Sequence, residues 1–289
     1  MVKEYLEIEI IVPQVITDQV SNFLIELGSI GVWSKPNGDS LALIGYSAFE
    51  SDLEAVKSSI YHYPDELRAL GFPVGENRID LRKIKDKNWM EESKSNFEPI
   101  FVTDDIVIIP NWDGSSFPDK IVIRIKPGMA FGTGAHATTQ LCMRAIKKFL
   151  KSGDRVVDVG CGSGILSILS AKLGASFVLG WDIDQDAIEN ASENLTLNQV
   201  ESLVEIKQGT VSANIPPESF NLVVANLNKR EIFESFEKIK MQINDKGVFI
   251  FSGILKEEEN EVNDFFQKKS LKSVEIVRQD DWVCFVCKK

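Results

Sequence analysis

A glycine-rich segment in the middle of the chain has the residue types and spacing best suited to chemistry. The segment GCGSG at 160–164 follows a predicted strand, in which the apolar, β-branched run Val156-Val157 leads into Asp158-Val159, and it precedes a predicted helix that begins at Ile165. Glycines in such a turn allow positive φ angles and leave room for a ligand beside the backbone. The first turn of the following helix directs unpaired N–H groups at the same space. The pattern predicts a strand, a ligand-binding turn and a helix, with Gly160 and Gly162 contacting the ligand.

An acidic residue follows at the distance typical of a nucleoside site. The next predicted strand, 177–181, ends at Asp182, and an acid about 20 residues beyond such a turn reaches the two ribose hydroxyls of a bound nucleoside. The glycines read G-x-G-x-G, whereas a dinucleotide site reads G-x-G-x-x-G. Asp158, just before the turn, would place a carboxylate near the ligand, which suits a cation better than a pyrophosphate. The sequence therefore favours a nucleoside that carries a cationic group.

Two further segments are predicted to meet this turn. The loop FGTGAHATT at 131–139 combines glycines and hydroxyls before a helix, and hydroxyls with free N–H groups can hold a carboxylate or a ribose. The predicted strand 220–225 ends at Asn226, beside the first strand, where a transferred group should lie. The side-chain oxygen of Asn226 can accept a hydrogen bond from an amine. Phe131, Gly134, Thr139 and Asn226 are therefore candidate site residues.

The elements that must position these residues form an α/β pattern. From residue 155 onward, strands and helices alternate and end in a hairpin, which predicts a seven-stranded Rossmann-like sheet. Residues 1–84 read as strand, helix, two strands, helix and strand, which predicts an α+β ferredoxin-like domain. The polar segment 85–98 is expected to be a linker, so that 99–289 forms the second domain. Within it, we expect 106–110 and 120–125 to be an antiparallel strand pair joined by a turn region, and SGIL at 252–255 to be a turn.

Composition and charge limit the classes of function and partner. The chain has 289 residues, 44% hydrophobic and 26% charged, which is typical of a soluble globular protein with room for two domains. A formal net charge of −11 argues against a nucleic-acid partner and suits a basic one, although on charge alone the favoured interpretation is that the acidic balance keeps the protein soluble. No apolar run approaches the ~20 residues of a membrane span, and the charged start is no signal peptide. We therefore expect a cytoplasmic protein that requires no direct contact with nucleic acid or membrane. A monomer is expected as well, although composition and charge do not determine the oligomeric state.

The histidine and cysteine residues suggest no metal centre. His136 is interpreted as a residue that shapes its loop by hydrogen bonds, in preference to a general base. Cys284 and Cys287 form a C-x-x-C in an alternating strand, where residues three apart point to opposite faces of a sheet. Cys161 lies at a helix start, which could lower the pKa of its thiol, but packing is the favoured interpretation. No metal ligand is therefore predicted.

Several segments together resemble a known enzyme family. FGTGAHATT, DVGCGSGILSI, GWDID, VVANLN and SGIL occur in this order between Ile125 and Leu255. They resemble the PrmA-type methyltransferases of the large-subunit ribosomal protein L-eleven (L11). The segment IELGSIGVWS, after the first predicted helix, is similar to part of the substrate-recognition domain of that family.

The resemblance implies an activity, a cofactor and site residues. A class I methyltransferase domain would use S-adenosylmethionine to methylate the N-terminal α-amine and lysine side chains of L11. Carried over by motif, Thr139, Gly160, Asp182 and Asn226 would contact the cofactor. Asn226 would in addition orient the attacking amine, which makes it the predicted catalytic residue.

The chain departs from the family pattern at three positions. Ser93 stands where a second Trp usually follows Trp89, Ala137 stands where Pro is usual, and Asn228 stands where an aliphatic residue is common. None of the three is a predicted cofactor contact. The departures therefore bear on substrate docking and on the set of methylated amines.

Other functions are compatible with parts of the sequence. A methyltransferase of this type could act on another protein or on a small-molecule amine. The NPPY motif of many nucleic-acid and glutamine amino-methyltransferases is absent, since Leu227 and Asn228 follow Asn226. A nicotinamide oxidoreductase would share the strand, turn and helix. A ribosome-associated binding module with a decayed site would have no reason to keep the glycines, the acid and the asparagine together.

Overall fold

The computed structural model describes residues 4–38, 40–48, 53–69, 71–75, 78–85, 99–126, 134–211 and 219–289. The chain divides into two compact units, Met1–Phe97 and Glu98–Lys289. Phe131, Trp89 and Ser93 lie outside the described residues, as does almost all of the predicted linker 85–98. What was expected of these residues therefore stays a prediction.

The first unit is a four-stranded antiparallel sheet with two helices. Its elements are β1 (Glu4–Pro13), α1 (Thr17–Glu26), β2 (Ser29–Asn37), β3 (Ser40–Ala48), α2 (Leu53–Ala69) and β4 (Arg78–Lys85). The strands lie in the order β2-β3-β1-β4. Alternation along β1 places Leu6, Ile8, Ile10 and Val12 on one face, where they form a buried core with apolar side chains of both helices.

A small three-stranded sheet opens the second unit and corrects one expectation. It consists of β5 (Ile100–Thr103), β6 (Ile106–Pro110) and β7 (Ile121–Ile125). The strands β6 and β7 are parallel, and the antiparallel partner of β6 is β5. The predicted antiparallel pairing of 106–110 with 120–125 is therefore wrong. The segment 111–120 is long enough to carry the chain back before β7 begins, which a tight hairpin turn would not do.

A mixed seven-stranded sheet is the centre of the second unit. Its strands are β8 (Arg155–Val159), β9 (Phe177–Asp182), β10 (Val204–Gln208), β11 (Phe220–Asn226), β12 (Ile243–Leu255), β13 (Lys272–Gln279) and β14 (Trp282–Lys288), in the order β10-β9-β8-β11-β12-β14-β13. The strands from β10 to β12 are parallel, and β14 is antiparallel to both of its neighbours. The predicted α/β sheet with its final antiparallel hairpin is thus confirmed.

Helices cover both faces of this sheet. They are α3 (Ala137–Phe149), α4 (Ile165–Lys172), α5 (Gln185–Asn198), α6 (Lys229–Gln242) and α7 (Glu259–Lys268). One buried core lies under α3, α4 and α5, and a second lies under α6 and α7. Cys284 belongs to the first core and Cys287 to the second, so these two thiols point to opposite faces as predicted.

Strand β12 passes through the segment that was expected to be a turn. It runs on to Leu255, with an irregular register against β14 between Phe251 and Ile254. Gly253 has a φ of +85° at this point. The segment SGIL therefore contains a bulge within a strand. The chain stays in the sheet through this segment, whereas a turn would have ended the strand.

The described part of the chain contains neither a candidate membrane-spanning helix nor a candidate metal-binding cluster. None of its helices combines the length and the apolar character needed to cross a bilayer. Its His, Cys, Asp and Glu side chains form no group of three or more that could hold a metal ion.

Candidate active site at the carboxyl edge of the sheet

The glycine turn after β8 adopts the conformation expected from its composition. Gly160, Gly162 and Gly164 all have positive φ, at 71°, 52° and 77°. The N–H groups of Gly160 and Cys161 donate to the carbonyl oxygen of Trp181 at 2.8 and 2.9 Å, which ties the turn to the end of β9. Residues other than glycine rarely adopt these φ values. Because the three glycines carry no side chains, the backbone of this turn is open toward the carboxyl edge of the sheet.

Gly160 packs closely against the side chain of Leu227. A Cβ at this position would lie 2.5 Å from Cδ2 of Leu227, in the segment after β11. Gly160 and Leu227 also line the same cavity at the carboxyl edge of the sheet.

Asp182 is directed at the glycine turn by two backbone donors. Its Oδ2 accepts from the N–H of Gly162 at 2.8 Å, and its Oδ1 accepts from the N–H of Asp184 at 3.1 Å. A carboxylate oxygen has two lone pairs, so each oxygen can still accept from a ligand hydroxyl. Asp182 is thus held in one orientation at the edge of the cavity with the acceptor capacity that a ribose diol requires.

A single cavity joins the ends of these strands. Its volume is about 570 Å³, within the range of small-molecule sites. Four predicted site residues line it, namely Gly160, Gly162, Asp182 and Asn226. Ile183, which follows Asp182, also lines it and is 71% exposed, so an apolar surface is available to a planar base.

The sequence motifs predicted only some of the residues that line the cavity. The residues after β10 line one side of the cavity, namely Gly209, Thr210 and Val211. Polar residues of α6 line another side, namely Glu231, Glu234, Ser235 and Lys238. The first group could have been found, because β10 ends at the same edge of the sheet. No local sequence pattern indicates the second group, because which side chains of α6 reach the cavity depends on how this helix packs against the sheet.

Thr139 and Asn226 meet although they are far apart in sequence. The side-chain Nδ2 of Asn226 donates to Oγ1 of Thr139 at 3.4 Å. Thr139 is buried in the first turn of α3 and does not line the cavity, whereas Asn226 is half-buried and does. With its Nδ2 directed at Thr139, Asn226 keeps its side-chain oxygen available as a hydrogen-bond acceptor.

Gly134 has a packing role in this structure. Its φ is +87°, and an added Cβ would meet the ends of Ile108 and Ile165 side chains, the latter at 3.0 Å. Gly134 is absent from the described residues that line the cavity. The geometry therefore supports close packing of its loop, and direct contact with a ligand stays a prediction.

His136 has the geometry of a loop-shaping residue. Its Nδ1 lies 2.7 Å from Oγ1 of Thr138 and also accepts from the backbone N–H of Thr138, which caps the start of α3. The imidazole ring contacts Trp282 edge to face. Burial lowers the pKa of His136, so the ring is neutral at pH 7. These contacts favour the hydrogen-bonding interpretation over that of a general base.

Asp158 does not occupy the position expected of it. Its side chain is fully buried, its Oδ2 accepts from Oγ of Ser167 at 2.7 Å, and it is not among the residues that line the cavity. Oδ1 has no hydrogen-bond partner within the described structure. Burial, with the nearby Asp182 carboxylate, raises the pKa of Asp158 to about 7 against the effect of the Ser167 hydrogen bond. Because α4 packs over this part of β8, the carboxyl lies in the core rather than at the open edge.

Cys161 is also buried, as the packing interpretation predicts. Burial and the carboxyl groups of Asp158 and Asp182 raise the pKa of its thiol well above the ordinary value. A thiol with a raised pKa is a poor nucleophile at neutral pH. Cys161 therefore fills space behind the turn.

These features fit a nucleoside with an amino-acid tail. The cavity has the size of a small-molecule site, the glycine turn exposes backbone, and Asp182 presents oriented acceptors. A pyrophosphate would meet no basic side chain among the described lining residues except Lys238, while three acidic residues line the same cavity. The arrangement thus suits the S-adenosylmethionine expected from the resemblance.

Comparisons with known proteins point the same way. The family model described as ribosomal protein L11 methyltransferase (PrmA) matches residues 4–289. A protein of that name from Caldicellulosiruptor saccharolyticus is 33% identical over 99% of this chain and 100% of its own length. Another from Listeria monocytogenes is 38% identical over 77% of this chain and 71% of its own length.

A solved structure supports the relationship. The ribosomal protein L11 methylase of Lactobacillus delbrueckii subsp. bulgaricus is 30% identical, with a TM-score of 0.62, and the match covers 66% of this chain and 98% of that one. Sequence, fold and site geometry agree, and the chain belongs to the ribosomal protein L11 methyltransferase family, PrmA.

Proposed function

We propose that this protein transfers methyl groups from S-adenosylmethionine to the N-terminal α-amine and to lysine side chains of ribosomal protein L11. Membership of the methyltransferase family supports the activity and the cofactor. The observation that carries the proposal is the single cavity in which Gly160, Gly162, Asp182 and Asn226 meet. Residues of three different strand ends thereby surround one ligand-sized space.

The cofactor roles follow from the position of each residue. Asp182 accepts hydrogen bonds from the ribose hydroxyls, and Gly160 and Gly162 let the ligand lie close to the backbone. Ile183 provides the apolar surface for the base. Thr139 acts through Asn226, which it holds by a hydrogen bond. Contacts of Phe131 and Gly134 with the cofactor complete the proposed set.

Asn226 is the proposed catalytic residue because it can orient the attacking amine. S-adenosylmethionine supplies an electrophilic methyl group on its sulfonium. The side-chain oxygen of Asn226 accepts a hydrogen bond from the amine and directs the nitrogen lone pair toward the cavity. An α-amine, with a pKa of ~7.7–8.0, is partly neutral at pH 7, whereas a lysine amine, at ~10.4, must first lose its proton. Burial of the amine beside Asn226 favours its neutral form, so a strong base is not required.

The first unit is proposed to be a ferredoxin-like domain, residues 1–84, that recognises the protein substrate. Its strand order, β2-β3-β1-β4, and its alternation of strands and helices support this assignment. Residues 85–98 would be the linker and 99–289 the methyltransferase domain. The formal net charge of −11 supports a basic partner. We further propose that the protein works in the cytoplasm as a monomer, without direct contact with nucleic acid or membrane.

Mass spectrometry of L11 tests the proposal. L11 from a host that lacks this protein is incubated with the purified enzyme and S-adenosylmethionine. Mass gains in steps of one methylene, with fragment ions at the N terminus and at lysines, are the expected result. An enzyme that binds S-adenosylhomocysteine but leaves L11 unmodified would instead act on another protein or on a small-molecule amine.

A further inference from the structure

The bulge in β12 lies against the segment that follows Asn226. The bulge consists of Ser252 and Gly253, where the register of β12 against β14 shifts. Asn226 and Ser252 are register partners in the β11–β12 ladder, and the N–H of Leu227 donates to the carbonyl oxygen of Ser252 at 3.0 Å. The bulge therefore determines where the chain goes immediately after Asn226.

Gly253 allows the two backbones to touch. A Cβ at Gly253 would lie 2.8 Å from the carbonyl carbon of Leu227 and closer still to its carbonyl oxygen. These neighbours are backbone atoms, which cannot rotate away as the end of a side chain can. Any side chain at position 253 must therefore displace the backbone of Leu227, and Asn226 is its direct neighbour.

A small shift of the backbone at Asn226 would disrupt the hydrogen bond that orients its side chain. Its hydrogen bond to Thr139 is already 3.4 Å long, near the limit for this interaction. Leu227 also packs over Gly160, where an added Cβ would approach its side chain to 2.5 Å. A displaced Leu227 would thus move both the amide of Asn226 and the wall of the cavity above the glycine turn.

We propose that Gly253 is a positioning residue for methyl transfer, which sets the Asn226 side chain by holding the backbone of Leu227 against the bulge of β12. The inference rests on the proposed role of Asn226 as the residue that orients the amine. It gives a function to the SGIL segment, which contributes no residue to the described cavity lining.

The variant Gly253→Ala tests this inference against a matched control. Gly153→Ala has the same backbone difficulty, with φ of +87°, but an added Cβ there meets nothing within 4 Å. Gly253→Ala is expected to lower kcat by about tenfold to a hundredfold, as expected for a catalytic group displaced by ~1 Å. Its affinity for S-adenosylhomocysteine, measured by calorimetry, should fall by a much smaller factor than kcat, because the backbone donors that orient Asp182 are unchanged. Equal kcat in Gly253→Ala and Gly153→Ala would overturn the inference.

A double-mutant cycle separates this inference from the proposed function. Single-turnover rates are measured for Gly253→Ala, Asn226→Gln and the double variant. If Gly253 acts through Asn226, the effect of Gly253→Ala should largely disappear in the Asn226→Gln background. Full additivity of the two effects would overturn the positioning role and leave the role of Asn226 intact. An Asn226→Gln variant with unchanged rate would contradict the catalytic role proposed for Asn226, on which this inference rests, and would leave methyl transfer to L11 as the proposed function.

A milder variant covers the case in which Gly253→Ala does not fold. Oγ of Ser252 donates to the carbonyl oxygen of Val283 at 3.2 Å and fixes the bulge to β14. Ser252→Ala removes this bond and leaves the backbone of Leu227 without a clash. A smaller fall in kcat, without loss of S-adenosylhomocysteine affinity, is expected. An unchanged kcat in this folded variant would count against the bulge as the positioning element.

Discussion

At the scale of single residues, the two acids near the glycine turn have opposite environments. Asp182 is held by backbone N–H groups at the edge of the cavity. Asp158 is fully buried, and one of its oxygens has no partner in the described structure. Burial of a carboxyl without compensation favours its neutral form. Substitution of the two residues should therefore change different properties of the protein.

Substitution of Asp182 is predicted to weaken cofactor binding. Asp182→Ala removes the acceptors proposed for the ribose hydroxyls, and a hydrogen bond to a charged group contributes about 1.5–3 kcal/mol. The dissociation constant for S-adenosylhomocysteine, measured by calorimetry, should therefore rise at least about tenfold. Asp184→Ala, which removes the N-cap of α5, serves as the control and should leave this constant nearly unchanged. Unaltered affinity in Asp182→Ala would disprove the ribose assignment.

Substitution of Asp158 is predicted to change the pH dependence of stability. Since the pKa of Asp158 is raised to about 7, the folded protein holds a proton that the unfolded chain releases between pH ~4 and ~7. The carboxyl thus costs increasingly more stability as the pH rises through this interval, up to a few kcal/mol, and the cost is constant above pH ~8. Asp158→Asn, which keeps an acceptor for Ser167, removes the cost.

Urea unfolding across this pH range measures the effect. The free energy of unfolding of Asp158→Asn, relative to the natural protein, should increase from pH 4 to about 7 and then stay level. Asp245→Asn, at an exposed site, should show no such trend. Parallel curves for Asp158→Asn and the natural protein would mean that this carboxyl is ionised in the folded state.

At the scale of elements, the start of α6 connects Asn226 and Leu227 to the residues of α6 that line the cavity. Asn228 caps the helix, accepting from the N–H of Glu231 at 3.0 Å, while the Glu231 carboxylate accepts from the N–H of Asn228 at 3.2 Å. This reciprocal pair is a capping box. The departure from the family pattern at Asn228 therefore stabilises the helix that follows Asn226 and Leu227.

Loss of this cap should destabilise the protein. Asn228→Leu, which introduces the type of residue common in the family, is expected to lower the free energy of unfolding by about 0.5–2 kcal/mol. Arg230→Ala, which removes only an exposed ion pair with Glu234, should cost clearly less. Urea denaturation of both variants measures the difference. A stability loss no larger for Asn228→Leu than for Arg230→Ala would show that the cap contributes little.

At the scale of the whole molecule, the proposed cofactor-binding and substrate-recognition functions are assigned to different parts of the chain. Every described residue that lines the cavity belongs to the unit Glu98–Lys289. That unit also contains two extensive apolar cores, one on each face of its sheet. The first unit therefore contributes none of the described residues that line the proposed cofactor site.

A fragment of residues 99–289 is predicted to bind the cofactor but to methylate L11 poorly. Calorimetry should give a dissociation constant for S-adenosylhomocysteine within about threefold of the value for the whole protein, because the site residues are all present. A cooperative thermal transition shows that the fragment is folded. Methylation of L11 by such a fragment at the full rate would contradict the recognition role of the first domain.

The sequence by itself determined the local chemistry of the site. A strand, a glycine turn, a helix and an acid at the end of the next strand follow from short-range patterns, and Gly160, Gly162 and Asp182 lie together as predicted. Asn226 was placed by the rule that parallel strands present their carboxyl ends at one edge. These features could be predicted because each depends mainly on residues that are close together in the sequence.

Only the tertiary structure decided what depends on distant segments. The pairing of β6 with β7, the burial of Asp158 under helices and the part of α6 that lines the cavity have no local signal. The contact of Gly253 with Leu227 is of the same kind, since it arises where a bulge in β12 meets the end of β11. Direction of pairing, burial and close approach are properties of packed pairs of elements, and a one-dimensional pattern describes only one member of each pair.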